Sequence, residues 1–137
     1  MGVNLSSTTR HQRPLSPFMT YRFQYTMVLS FMHRVTGCAL SVGQLLFVCW
    51  LISAAGGEDS YARLQGVFAH PLMKLVLVGF SYAFFYHLLN GFRHLVWDTG
   101  RGFEKRTARI SGWSVFIAAV TVTICFWALL CLGGGAA

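Results

Sequence analysis

Residues 75–92 read LVLVGFSYAFFYHLLNGF, a stretch without a single lysine, arginine, aspartate or glutamate. A helix rises about 1.5 Å per residue, so a helix over this stretch spans roughly 27 Å, close to the hydrocarbon thickness of a bilayer. Two more charge-free runs flank it, at 35–57 and 110–137. An isolated strand in lipid leaves its backbone groups unsatisfied, and three segments are too few for a barrel. The fold therefore reads as all-α. It is an integral membrane chain with three transmembrane helices over about 22–56, 71–98 and 109–132. An N-terminal arm, 1–21, precedes them, and the whole of 1–137 forms one membrane-anchor domain. Pro71 suits the first turn of the second helix.

The composition agrees. Hydrophobic residues make up 55% of the chain and charged ones 11%, yet the net charge is +7. The charges are confined to three short zones. That distribution points to lipid as the main solvent and against nucleic acid as a partner. Cys38, Cys49, Cys125 and Cys131 all fall in apolar runs, and no CxxC pair exists. They read as buried small apolar residues, not as a zinc or redox site. The start, MGVNLS, fits a myristoylation pattern formally, but a three-span chain needs no lipid anchor.

Orientation follows from the basic residues. Arg10, Arg13, Arg22 and Arg34 lie at the N-terminal side, and Arg101, Lys105, Arg106 and Arg109 lie between the second and third spans. The first loop mixes Arg63 and Lys74 with Glu58 and Asp59, and the C-terminus carries no charged side chain. Positive-inside bias then puts the N-terminus inside and the C-terminus outside. No Arg-rich amphipathic transit peptide is evident, which favours a bacterial plasma membrane over a mitochondrial inner membrane.

Two polar clusters interrupt the apolar helices. The first is SFMHRVTG, residues 30–37. Ser30, His33, Arg34, Gly37 and Ser41 are spaced 0, 3, 4, 7 and 11, one face of a helix, and Phe23 and Met27 extend the stripe. A hydroxyl and a cation beside an apolar wall suit a molecule with polar carbonyls on an apolar body. The competing reading has Arg34 snorkelling to lipid phosphates and Ser30 bonding its own backbone. The second cluster is FYHLLNGFRHLVWDTG, residues 85–100, in which His87, Gly91, His94 and Asp98 are spaced 0, 4, 7 and 11. Neutral imidazole is a good axial ligand for haem iron, and Gly91 removes a side chain where a flat macrocycle would pass. Arg93 and His94 would compensate anionic propionates, with Asp98 orienting one of them. A lone membrane histidine could equally be a helix-packing hydrogen bonder.

Taken together, these segments resemble the cytochrome b-556 subunit family of succinate dehydrogenase, the larger membrane anchor of respiratory complex II. The resemblance rests on RPLSP at 13–17, on Ser30, His33, Arg34, Thr36 and Gly37, and on His87, Gly91, Arg93, His94, Leu95 and Asp98. Phe18 departs from the family, where many members place histidine, which removes a polar role from that arm position. The resemblance implies that His87 is this chain's axial ligand to haem b, the second ligand coming from the small anchor subunit. It implies propionate contacts from His33, Arg34 and His94. It also implies a ubiquinone site with Ser30 and Arg34, walled by Phe23, Met27 and Phe31. Arg93 and Asp98 would orient the haem-side groups. The implied partners are a flavoprotein subunit, an iron–sulfur subunit and the small membrane anchor, with succinate oxidised in the soluble pair and no succinate-oxidising site in this chain.

Overall fold

The computed structural model describes residues 24–134. It is helical throughout, with no strand among the described residues. The helices are α1 (Tyr25–Ala55), α2 (Glu58–Ala69), α3 (Pro71–Asp98) and α4 (Lys105–Gly134). Three of them, α1, α3 and α4, are long and apolar enough to cross a membrane. At 31, 28 and 30 residues they exceed the about 20 needed, so their ends reach past the hydrocarbon layer. The N-terminal arm and Phe23 lie outside the described residues.

The side-chain distribution is that of a protein dissolved in lipid. Phe31, Leu45, Ile52, Leu75, Leu129 and Leu132 are all exposed. Most buried positions are small or polar, Ala83, Ala108 and Ala119 with Thr36, Asn90, Arg93 and Thr123; Leu29, Tyr86 and Val115 are the larger apolar residues buried among them. Lipid tails are as apolar as leucine, so large side chains gain little by turning inward, while small ones let backbones approach. The four cysteines follow the same rule. Burial, the expectation from their apolar runs, does not hold: all four are free and exposed on the apolar helix surfaces.

Helix α3 packs against both long neighbours, and α1 reaches α4 over a smaller area. Tyr86 of α3 is buried with Val115 and Ala119 of α4, and Met32 of α1 packs onto this group. Near the start of α1, Tyr25 stacks on Trp113 with ring centroids 5.7 Å apart. Gly112 permits that approach. A methyl group there would collide with Leu29 Cδ1 and lie 2.9 Å from the Tyr25 hydroxyl oxygen. We expect Gly112→Val to force α4 away from α1 at a cost of about 1–3 kcal/mol. A lowered thermal midpoint of the purified protein would register it.

The segment read as the first loop contains a helix, α2. Glu58 and Asp59 sit in its first turn, where carboxylates favour the helix dipole. Ser53 of α1 donates a hydrogen bond to the Ser60 carbonyl, 2.8 Å, tying the two helices at their junction. His70 ends α2 and caps α3, its Nδ1 accepting from the Leu72 N–H, and Pro71 opens the next helix. The α3–α4 turn is tight because Gly100 and Gly102 take φ of +79° and +84°, a region side-chain-bearing residues rarely adopt. The Trp97 indole N–H donates to the Gly102 carbonyl across that turn.

Candidate functional site

Where α1 meets α3, three histidines converge. His33 of α1 stacks on His87 of α3 with ring centroids 3.9 Å apart and planes 11° from parallel. His33 also stacks on His94 at 5.1 Å and 18°. His87 and His94 are seven residues apart, two helical turns, and His33 bridges them. The His94 Nδ1 lies 2.8 Å from the Asn90 carbonyl oxygen of its own helix. His87 Nδ1 faces the carbonyl oxygen of His33 at 3.2 Å and Thr36 Oγ1 at 3.4 Å. His33 Nδ1 is buried with no hydrogen-bond partner among the described residues.

Two glycines shape the cluster in different ways. A Cβ on Gly37 would lie 3.0 Å from His87 Cε1, so the missing side chain is what admits the His87 ring against α1. A Cβ on Gly91 would meet no described residue within 4 Å, so the face of α3 beyond His87 is open. That open face and the orphaned His33 nitrogen fit a flat, anionic-edged group laid beside His87. Among the described residues no three His, Cys, Asp or Glu side chains converge as a chelating metal site. A porphyrin supplies four nitrogens itself and asks only axial ligands of the protein.

The first sequence stripe divides between two environments. His33 and Gly37 turn toward α3, while Ser30, Arg34 and Ser41 are exposed and Met27 is half-buried. Phe31 is exposed. The hydroxyls of Thr36, Ser41, Ser81 and Thr123 all donate to carbonyls of their own helices. Ser30 makes no such bond among the described residues, and both it and Arg34 are exposed.

Arg93 has a different setting from the one its sequence neighbours suggest. It is buried at the α3–α4 contact. Its Nε donates to Ser111 Oγ at 3.0 Å, one terminal nitrogen to Asn90 Oδ1 at 3.3 Å, and the other to the Ala108 carbonyl at 2.9 Å. Its guanidinium also lies 4.0 Å from the centroid of the Trp97 ring. The structure does not bring Asp98 to Arg93 or His94; Asp98 is exposed. Sequence reasoning passes over Thr36, Asn90 and Ser111 as site residues. The one available signal is polarity, since each is a hydrogen-bonding residue within an otherwise apolar helix.

Comparison with known proteins bears on what such a cluster is for. A family model described as succinate dehydrogenase/fumarate reductase transmembrane subunit matches residues 9–126. A Rickettsia typhi protein named succinate dehydrogenase cytochrome b556 subunit is 41% identical over 118 residues, covering 85% of this chain and 92% of its own. The Paracoccus denitrificans protein of the same name is 34% identical over 128 residues, covering 89% and 98%. A mouse protein named succinate dehydrogenase cytochrome b560 subunit, mitochondrial, is 38% identical over 118 residues, covering 82% and 68%.

Proposed function

The chain belongs to the succinate dehydrogenase/fumarate reductase transmembrane-subunit family, and from that premise we propose that it binds haem b and ubiquinone in the anchor of succinate:ubiquinone oxidoreductase. It is a membrane subunit of an enzyme complex. Electrons from the iron–sulfur subunit reach ubiquinone at this anchor, and the flavoprotein and small anchor subunits complete the assembly. The observation that carries the reading is the seat of His87, admitted by Gly37 and flanked by His33 and His94 beside the open face at Gly91.

His87 would hold the haem from this chain, with a further ligand from the small anchor subunit. Bound haem supplies one-electron storage. His33, Arg34 and His94 offset the charge of its propionates. Ser30 donates a hydrogen bond to a quinone carbonyl, and Arg34 stabilises the negative charge that builds on that oxygen during reduction. Met27, Phe31 and Phe23 wall the ring and tail. The basic residues of the arm, the α3–α4 turn and the start of α4 support an N-terminus inside and a C-terminus outside, with both sites toward the inner membrane surface. The Rickettsia and Paracoccus relatives fit a bacterial plasma membrane, and the mouse relative fits the mitochondrial alternative.

Purification from the membrane tests the partners and the cofactor together. The chain is expected to co-purify with a flavoprotein, an iron–sulfur protein and a second small membrane protein, with a low-spin b-type spectrum. For the quinone site, one hydrogen bond lost at the reacting oxygen is worth about a tenfold rate. Ser30→Ala and Arg34→Ala are each expected to lower ubiquinone reduction by about that factor while succinate oxidation with an artificial acceptor holds. Equal loss in both assays would remove these residues from the quinone site.

A further inference from the structure

We infer that Thr36 and Gly37 are positioning residues for His87: Thr36, with the His33 carbonyl, holds the proton on Nδ1, and Gly37 sets the ring's seat against α1. The inference rests on the reading of His87 as a haem ligand and deepens it.

A carbonyl oxygen accepts and cannot donate. The His33 carbonyl lies 3.2 Å from His87 Nδ1, so for the bond to exist Nδ1 must carry a proton. In a neutral imidazole the lone pair then sits on Nε2, the form that ligates iron through that nitrogen. Thr36 Oγ1 is the second oxygen facing Nδ1, at 3.4 Å. Its own proton has two carbonyls within reach, Met32 and His33, each at 2.9 Å. A hydroxyl has one proton, so donating it into the helix backbone leaves oxygen lone pairs toward the imidazole. Both oxygens therefore demand the same tautomer. Thr36 is only 5% exposed, so water does not substitute for it readily.

Gly37 completes the arrangement. Its absent Cβ would stand 3.0 Å from His87 Cε1 and 3.5 Å from Nδ1. A methyl group there has to push the ring away from the two oxygens that fix its proton. The adjacent pair Thr36-Gly37 thus acts on one ring in two ways, through a hydrogen bond and through space. A ligating histidine whose far N–H is hydrogen-bonded is a more basic, electron-richer ligand, which favours the oxidised iron. Removing the Thr36 oxygen should raise the haem's reduction potential without removing the ligand.

The test is redox titration of the purified complex, with absorbance and electron paramagnetic resonance spectra of the haem. Thr36→Val is nearly isosteric and removes the acceptor. It is expected to keep a low-spin haem at full content with a raised midpoint potential, and Thr36→Ser is expected to restore the native potential. If the valine variant does not accumulate, Thr36→Ala removes the same hydroxyl without a branched side chain and should raise the potential likewise. Gly37→Ala is expected to alter the low-spin signal. Native potentials in Thr36→Val or Thr36→Ala overturn the inference, as does a serine variant that shifts as far as valine. His87→Ala separates the two levels. If it keeps the low-spin signal, the ligand assignment falls. If it loses that signal while the Thr36 variants titrate as wild type, only the positioning role falls.

Discussion

Substituting His87 by alanine is expected to abolish the low-spin b-type spectrum of the complex. The ring occupies a place made for it: Gly37 is open to admit it, His33 stacks on one side, and two oxygens face Nδ1. Alanine leaves nothing in that place able to reach iron. Loss of a partner that merely orients a metal ligand typically weakens binding about 10–100-fold, so loss of the ligand itself should exceed that. The haem-to-protein ratio, measured as a pyridine haemochrome, should fall by at least about tenfold. Leu88 is the natural control. It follows His87 on α3 but faces outward, and Leu88→Ala should leave the spectrum alone. His33→Ala and His94→Ala should retain a low-spin haem with altered potential, because the reading gives them propionates and not iron. A His87→Ala complex with the native spectrum would return His87 to the role of a helix-packing hydrogen bonder.

Much of this architecture is legible in the chain itself. The charge-free runs at 35–57, 75–92 and 110–137 mark three membrane-capable helices because lipid tolerates few charges along a helix. The seven-residue step from His87 to His94 gives their shared face, because helical periodicity is a property of the chain alone. The helix α2 escapes a reading weighted by its charges, Glu58, Asp59 and Arg63. Its apolar residues Tyr61, Leu64, Val67 and Phe68 do recur at helical spacing. In a short segment between two spans that spacing competes with loop readings.

What stays illegible depends on which neighbour comes near. His33 and Arg34 are adjacent, and a step of about 100° per residue sends one toward α3 and the other outward. The stripe names both residues but not the line dividing them. Thr36 stands in the sequence only as part of a motif; its meaning requires α3 to deliver His87 within 3.4 Å. Arg93 is the sharpest case. Its place between His87 and Asp98 in the sequence suggests the haem side, whereas its bonds lie with Ser111 and Ala108 on α4, a helix that periodicity within α3 cannot see. The cysteines err in the opposite sense. The rule that cysteine is buried assumes water outside, and in lipid the exposed face is itself apolar.

Arg93→Ala is expected to be the most damaging substitution for assembly. Arg93 is 7% exposed, and its hydrogen-bond partners among the described residues include no carboxylate. Its charge is accommodated by a hydroxyl, an amide oxygen, a backbone carbonyl and the face of Trp97. Alanine removes three hydrogen bonds and the cation–ring contact at once. It also strands Asn90, whose Nδ2 already lacks a partner among the described residues. The buried charge leaves with Arg93, so the cost is that of neutral acceptors left unpaired, about 1–3 kcal/mol for each one stranded, a large part of any domain's stability. Arg93→Lys keeps the charge but not the planar fork that reaches two helices, so it should recover only part of the loss. Arg106→Ala, at an exposed position in the first turn of α4, should change stability by less than about 0.5 kcal/mol. The measurement is the yield and thermal midpoint of the complex for all three variants. The described partners of Arg93 belong to α3 and α4, so haem should decline only in step with the folded complex. Full-yield Arg93→Ala complex lacking haem would instead place Arg93 in the haem site.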